Sequence, residues 1–169
     1  VLLVGCTDFN GQENVISTGS VIPEQITALF EQPSVRTVVQ EDRYIYWSEE
    51  DEISYFPQQN SNVQYRLHAT EGETAYFTRI STPEASEVKL NYNYAVYPYA
   101  ESAEVATEGH VSVQLPSLQS YAEESFGVGA ATMVAVSDAA NGATVKFANV
   151  VGFLKLQLYG SDAVVKRIE

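Results

Sequence analysis

The sequence predicts an all-β domain, a transthyretin-like sandwich of about seven to ten short, mainly antiparallel strands. Three observations carry the all-β part of that expectation. Aromatic residues are abundant, with 11 Tyr and seven Phe in 169 residues, and aromatic and β-branched side chains suit a pleated, half-buried surface. Apolar residues recur at every second position in many short runs, as in strands with one buried face. Turn residues separate those runs at hairpin spacing, and no long helical pattern intervenes.

A chain of this length buries roughly 70% of its unfolded surface and holds a core without cross-links. One cysteine, Cys6, cannot make an internal disulfide. The 22 Asp and Glu against nine Lys and Arg leave a net charge of -13, which repels a phosphate backbone and argues against nucleic acid as a partner. No apolar run approaches the roughly 20 residues of a membrane-spanning helix.

Residues 1–6 read VLLVGC. Leu3, Val4, Gly5 and Cys6 match in order the lipobox that ends a bacterial lipoprotein signal. On this reading residues 1–5 are the end of the signal peptide, and its charged beginning lies upstream of this sequence. Cys6 then becomes the lipidated first residue, whose acyl chains anchor the protein to a membrane surface. The alternative is an apolar strand ending in a buried cysteine. Residues 6–20 are polar and turn-rich, a tether, and residues 21–169 form the domain.

In the domain, Val21, Ile22, Ile26, Leu29 and Phe30 form the first apolar group. ITALF reads as a strand, with a short helix as the alternative, and Pro23 confines it to an edge or splits it. Val35 to Val39 is a second extended piece. Tyr44 to Trp47 and Ile53 to Phe56 flank the acidic turn Ser48 to Glu52. Val63, Tyr65, Leu67 and Ala69 alternate against Gln64, Arg66 and His68, which puts His68 toward solvent. Glu71-Gly72-Glu73 turns the chain into a strand at Ala75 to Thr78. Ser81 to Glu87 is a loop.

Asn91 to Tyr99 packs four tyrosines into nine positions, with Tyr92, Tyr94 and Val96 on one face and Pro98 closing the strand. Ala100 to Gly109 is an acidic loop, and Val111, Val113 and Leu115 alternate until Pro116. Gln119 to Ser125 is a polar link. Met133 to Val136 is a strand, and Asn141-Gly142 marks a hairpin into Val145 to Tyr159. In that last stretch Leu154, Leu156 and Leu158 oppose Lys155 and Gln157, and Gly152 breaks the run where a bend or bulge fits. It reads as the core hairpin, or kinked pair of strands, around which the chain is organised.

Catalytic patterns are missing. His68 and His110 are the only histidines, too few for a zinc site, and neither GxSxG nor a Ser/His/Asp set appears. The carboxylates Glu49, Glu50, Asp51 and Glu52 lack the alternating oxygen spacing of a calcium loop. FGVGA at 126–130 lacks the rest of a phosphate-binding loop. The expectation is a protein that is not an enzyme and needs no metal or cofactor. Tyr92, Tyr94, Tyr97 and Tyr99 are a candidate aromatic surface for ligand stacking; the plainer reading has them filling the sheet.

The ordered set RTVV, YIYWSEEDEISYF, YAVYPYA, VSVQLPSLQSYAEESF, MVAV and VKFANVVGFLKLQLYG resembles the fimbrillin-like family of surface lipoproteins and pilus subunits in Gram-negative anaerobes. Trp47, Ser48, Asp51 and Ile53 match one family pattern, and Ala95, Tyr97, Pro98 and Tyr99 another. Pro116 and Gln119 match a third, and a last segment matches at Phe147, Asn149, Gly152, Leu154, Lys155 and Leu156.

The resemblance spans roughly Thr27 to the end and implies an N-terminal β-sandwich of transthyretin-like type, with a C-terminal domain beyond this chain. It also implies a surface-exposed, lipid-anchored protein of the outer membrane that serves as a subunit or anchor of a fimbria. In polymerising relatives an arginine-directed protease removes the leader and first strand, and a strand from a neighbouring subunit fills the groove. Arg36 is the nearest candidate for such a cut. The alternative is a surface adhesin that binds glycan or host protein without polymerising.

Overall fold

The computed structural model describes residues 22–31, 47–58, 61–107, 109–118, 130–138 and 142–150, with 152, 159, 160 and 164 as isolated positions. Among them are nine strands and no helix. They are β1 (Gln25–Phe30), β2 (Glu52–Phe56), β3 (Val63–Glu71), β4 (Thr74–Arg79), β5 (Tyr92–Tyr97), β6 (Glu104–Thr107), β7 (His110–Ser112), β8 (Met133–Asp138) and β9 (Thr144–Asn149).

Seven strands close into a barrel in the order β1-β4-β3-β2-β5-β8-β9, while β6 and β7 pair as a separate hairpin. The pairings are antiparallel except one. β9 returns beside β1 in parallel register, with Ala28 opposite Val145 and Phe30 opposite Phe147, and that pairing completes the ring. Closure removes the exposed edges that an open sheet presents.

Alternation decides what fills the barrel. Ile26 and Ala28 of β1, Ile53 and Tyr55 of β2, Val63 and Tyr65 of β3, and Ala75 and Phe77 of β4 point inward, with Ala95, Met133, Ala135, Val145 and Phe147 from the other strands. Each large side chain among them contributes roughly 1.5–3 kcal/mol by leaving water. Two buried phenols end on backbone oxygens: Tyr55 donates to Gly142 O at 2.8 Å and Tyr65 to Pro23 O at 2.6 Å. Burial pushes both phenols well above the ordinary tyrosine range, so they remain neutral donors.

A second core lies outside the barrel. Phe56, Tyr94 and Val96 on the outer face of β2 and β5 pack under Leu90, Ala103 and Val105, with Val111, Val113 and Val134 at the margin. The β6–β7 hairpin is therefore a lid on the β5 side. This hairpin corrects the reading of Ala100 to Gly109 as loop, because Glu104–Thr107 is a strand. Gly109, at φ 76, supplies the left-handed turn residue.

Other boundaries differ from expectation. β1 starts after Pro23 and is hydrogen-bonded on both sides, so Pro23 ends the approach to the strand and does not mark an edge. Trp47 lies outside any strand, at the start of the Ser48–Asp51 turn. β7 stops at Ser112, and residues 113–116 run on without strand pairing. His68 is exposed as expected, beside a register shift between Leu67 and Ala69. Val35 to Val39, Tyr44 to Tyr46, Gln119 to Ser125 and Leu154 to Leu158 lie outside the described residues.

Candidate functional site

The seat of β1 is where the ring closes, between β4 and β9. Its inward residues Ile26 and Ala28 are 0% exposed, opposite Phe77 and Ala75 of β4. It is paired with β4 on one side, and on the β9 side Thr27 N donates to Ala143 O and Glu31 N to Phe147 O, each at 2.8 Å. At its entry Arg79 N donates to Glu24 O at 3.0 Å, and the two side chains form an ion pair. The Tyr65 hydroxyl fixes Pro23 from inside the barrel.

Phe30 closes the other end of β1 against Trp47. The two rings stack with centroids 4.9 Å apart and an interplanar angle of 11°. Trp47 also meets Phe77, Tyr97 and Phe147 edge-on, at 5.1, 5.3 and 5.7 Å. One indole thus joins β1, β4, β5 and β9. Its ring nitrogen is shielded and has no hydrogen-bond partner among the described residues; a buried donor left without one costs about 1–3 kcal/mol.

The turn after Trp47 fixes the ring's position. Asp51 accepts the Ser48 N–H at 2.7 Å and the Tyr97 hydroxyl at 2.9 Å, and Ser48 O accepts the Asp51 N–H at 3.0 Å. Glu50 adopts φ 75 within the turn. Burial raises the Asp51 carboxyl above its ordinary value, and the two donors partly offset that rise. Tyr97 is pushed up by burial and then by the neighbouring Asp51 charge. Glu52 bonds Gln64 and Arg66, so two of the four clustered carboxylates are committed to protein partners. Among the described residues no three His, Cys, Asp or Glu side chains gather as a metal site.

The four tyrosines of the candidate aromatic surface do not share one face. Tyr92 is 48% exposed, whereas Tyr94 is buried, its hydroxyl accepting the Gly109 N–H at 2.8 Å. Tyr97 faces the barrel interior beside Trp47, and Tyr99 follows the cis Tyr97-Pro98 peptide, half-buried. Tyr92 does border a shallow apolar cavity of about 510 Å³ with Tyr94, Gly109, Val111, Val134, Val136 and Val150. Cys6 and Arg36 lie outside the described residues.

Sequence reasoning missed Trp47 as the hub. The available signal was a lone tryptophan immediately before a polar turn, where an exposed ring would be costly. Comparison of the chain with protein-family models, with curated proteins and with solved structures finds no match.

Proposed function

We propose that this chain is a cell-surface lipoprotein acting as a structural subunit or anchor of a fimbria, with assembly by donor-strand addition. The fimbrillin-like resemblance supports this reading, and so does one observation: a single short strand, β1, sits between β4 and β9 as the closing stave of the barrel. In the sequence Arg36 falls between Phe30 and Glu52, so a cut there separates β1 from β2 and the rest of the barrel. Loss of β1 leaves two adjacent strands with unpaired backbone groups and uncovers the pockets of Ile26 and Ala28. A strand from another subunit satisfies both demands at once.

On this reading lipid on Cys6 holds the protein at the outer membrane, and residues 6–20 are the tether. The structure supports the all-β part of the expected domain, as a closed seven-strand barrel with a β6–β7 hairpin; the transthyretin-like sandwich type rests on the resemblance alone. The partners are other pilus subunits. Treating the full-length protein with an arginine-specific protease tests the assembly. Cleavage after Arg36 with SDS-resistant ladders is expected, and persistent monomers after complete cleavage would sink the reading. Fatty-acid labelling that survives Cys6→Ser in a signal-bearing protein would sink the anchor.

A second reading rests on the outer cavity. Tyr92 beside Val136, at 48% and 56% exposed, offers an apolar surface with a phenol at its rim, suited to stacking against a sugar ring. That arrangement favours an adhesin that binds glycan or host protein without polymerising.

A further inference from the structure

We infer that the β1 seat selects its occupant by the side chains at two of its inward positions, accepting a strand with a small residue where Ala28 sits and, two residues on, an aromatic where Phe30 sits. The inference rests on the strand-exchange reading and specifies the partner for it. Main-chain pairing with β4 and β9 is blind to sequence, so selectivity comes from the alternate side chains that enter the barrel. Three such positions exist, at Ile26, Ala28 and Phe30.

The middle position is the strictest. Ala28 lies opposite Ala75, and both are 0% exposed. The same core holds Tyr55, Tyr65, Phe77 and Phe147, the largest fully buried side chains. A longer side chain at this position overpacks a core that is already filled.

The last position is aromatic. Phe30 stacks on Trp47 at 4.9 Å, and the indole is held from three other sides by Phe77, Tyr97 and Phe147. The Asp51 carboxylate fixes Tyr97 and the turn that carries Trp47. An aliphatic side chain here gives up the ring–ring contact and leaves one face of the indole uncovered. The position is also the most separable, because among the described residues β4 pairs with β1 only as far as Ala28 and the Phe30 main chain pairs with β9 alone. Leu29 points away from the barrel and carries no such demand.

The test uses the full chain with a specific protease site placed between Phe30 and Trp47, folded first and then cut. Fluorescein-labelled synthetic strands of the Gln25–Phe30 sequence are added, and binding is read by anisotropy and by emission of Trp47, the only tryptophan. Strands ending in Phe or Tyr are expected to bind alike. Leu in place of Phe30, or Leu in place of Ala28, is expected to weaken binding roughly tenfold, while Ala in place of Leu29 leaves it unchanged.

Equal affinity of all these strands would overturn the selectivity. If even the native strand fails to enter, exchange itself fails, and the selectivity is judged on the uncut chain. There Phe30→Tyr is expected to keep the melting temperature, with Phe30→Leu and Ala28→Leu each lowering it by about 3 °C or more. Unchanged melting in all three variants would overturn the inference independently of exchange.

Discussion

Phe30 and Trp47 lie face to face, 4.9 Å between ring centroids and 11° between planes, and they come from segments separated by the link that holds Arg36. Their contact carries more than area. A double-mutant cycle of Phe30→Leu and Trp47→Leu, followed by urea unfolding, is expected to give a coupling of about 0.5–1.5 kcal/mol. Strict additivity of the two substitutions would mean that the stack contributes nothing specific.

Gly142 is required by two side chains of the core. A Cβ there would lie 2.8 Å from both the Tyr55 hydroxyl and the Asn93 amide nitrogen. Tyr55 is fixed in the barrel and already donates to Gly142 O. Gly142→Ala is therefore expected to destabilise by about 1–3 kcal/mol. Combining it with Tyr55→Phe should recover part of that loss, because the clashing oxygen is gone. Thermal melts of the two variants and their combination check this.

Asp51 predicts a definite sign of pH dependence. Its folded-state pKa is raised above the ordinary 3.8, chiefly by burial, so the folded protein binds the proton more tightly than the unfolded chain. The resulting stabilisation is complete below 3.8 and is lost as pH rises through the raised value. The stability difference between the native sequence and Asp51→Asn should therefore shrink as pH climbs through that window, then stay level. A difference that grows over the same window in urea titrations would contradict the assignment.

The outer and inner tyrosines of β5 separate binding from folding. Tyr92→Ser is expected to change stability by no more than about 0.5 kcal/mol, as for exposed positions generally. Tyr97→Ala removes a ring packed on Trp47 and the donor to Asp51, and is expected to cost about 3 kcal/mol. If the outer cavity binds glycan, Tyr92→Ala lowers a glycan-array signal without lowering the melting temperature. A signal that persists in Tyr92→Ala would remove that cavity from the adhesin reading.

Much of the strand pattern was legible because it is local. Val63, Tyr65 and Leu67 alternate, Gly72 at φ 59 supplies the turn, and β3 and β4 pair across it. The Asn141-Gly142 signal likewise precedes β9, and β8 and β9 pair antiparallel. The face shared by Tyr92, Tyr94 and Val96 follows from the same period of two.

Closure was not legible, since nothing local in Gln25–Phe30 announces a parallel partner at Thr144–Asn149. The β6 strand was hidden for a different reason. Only Ala103 and Val105 turn inward there, too short an alternation to register among the surrounding carboxylates. Of the candidate site, the sequence displayed the aromatic residues without their directions. Tyr97 inside and Tyr92 outside follow from strand parity, whereas the junction of Trp47 with four separate strands depends on the closed ring.

The parallel pairing of β1 with β9 also orders events in time. Thr27 meets Thr144, a contact between residues more than a hundred positions apart, and such distant contacts are slow to form because the intervening chain must first be gathered. In a chain that emerges from its N-terminal side, β1 is made before every other strand described here. It can pair with β4 once β4 is made, but its other neighbour, β9, comes last of the strands described here. Until that pairing forms, one flank of β1 and the facing flank of β9 carry unpaired backbone groups, so the last main-chain pairing to be decided is the one that closes the ring.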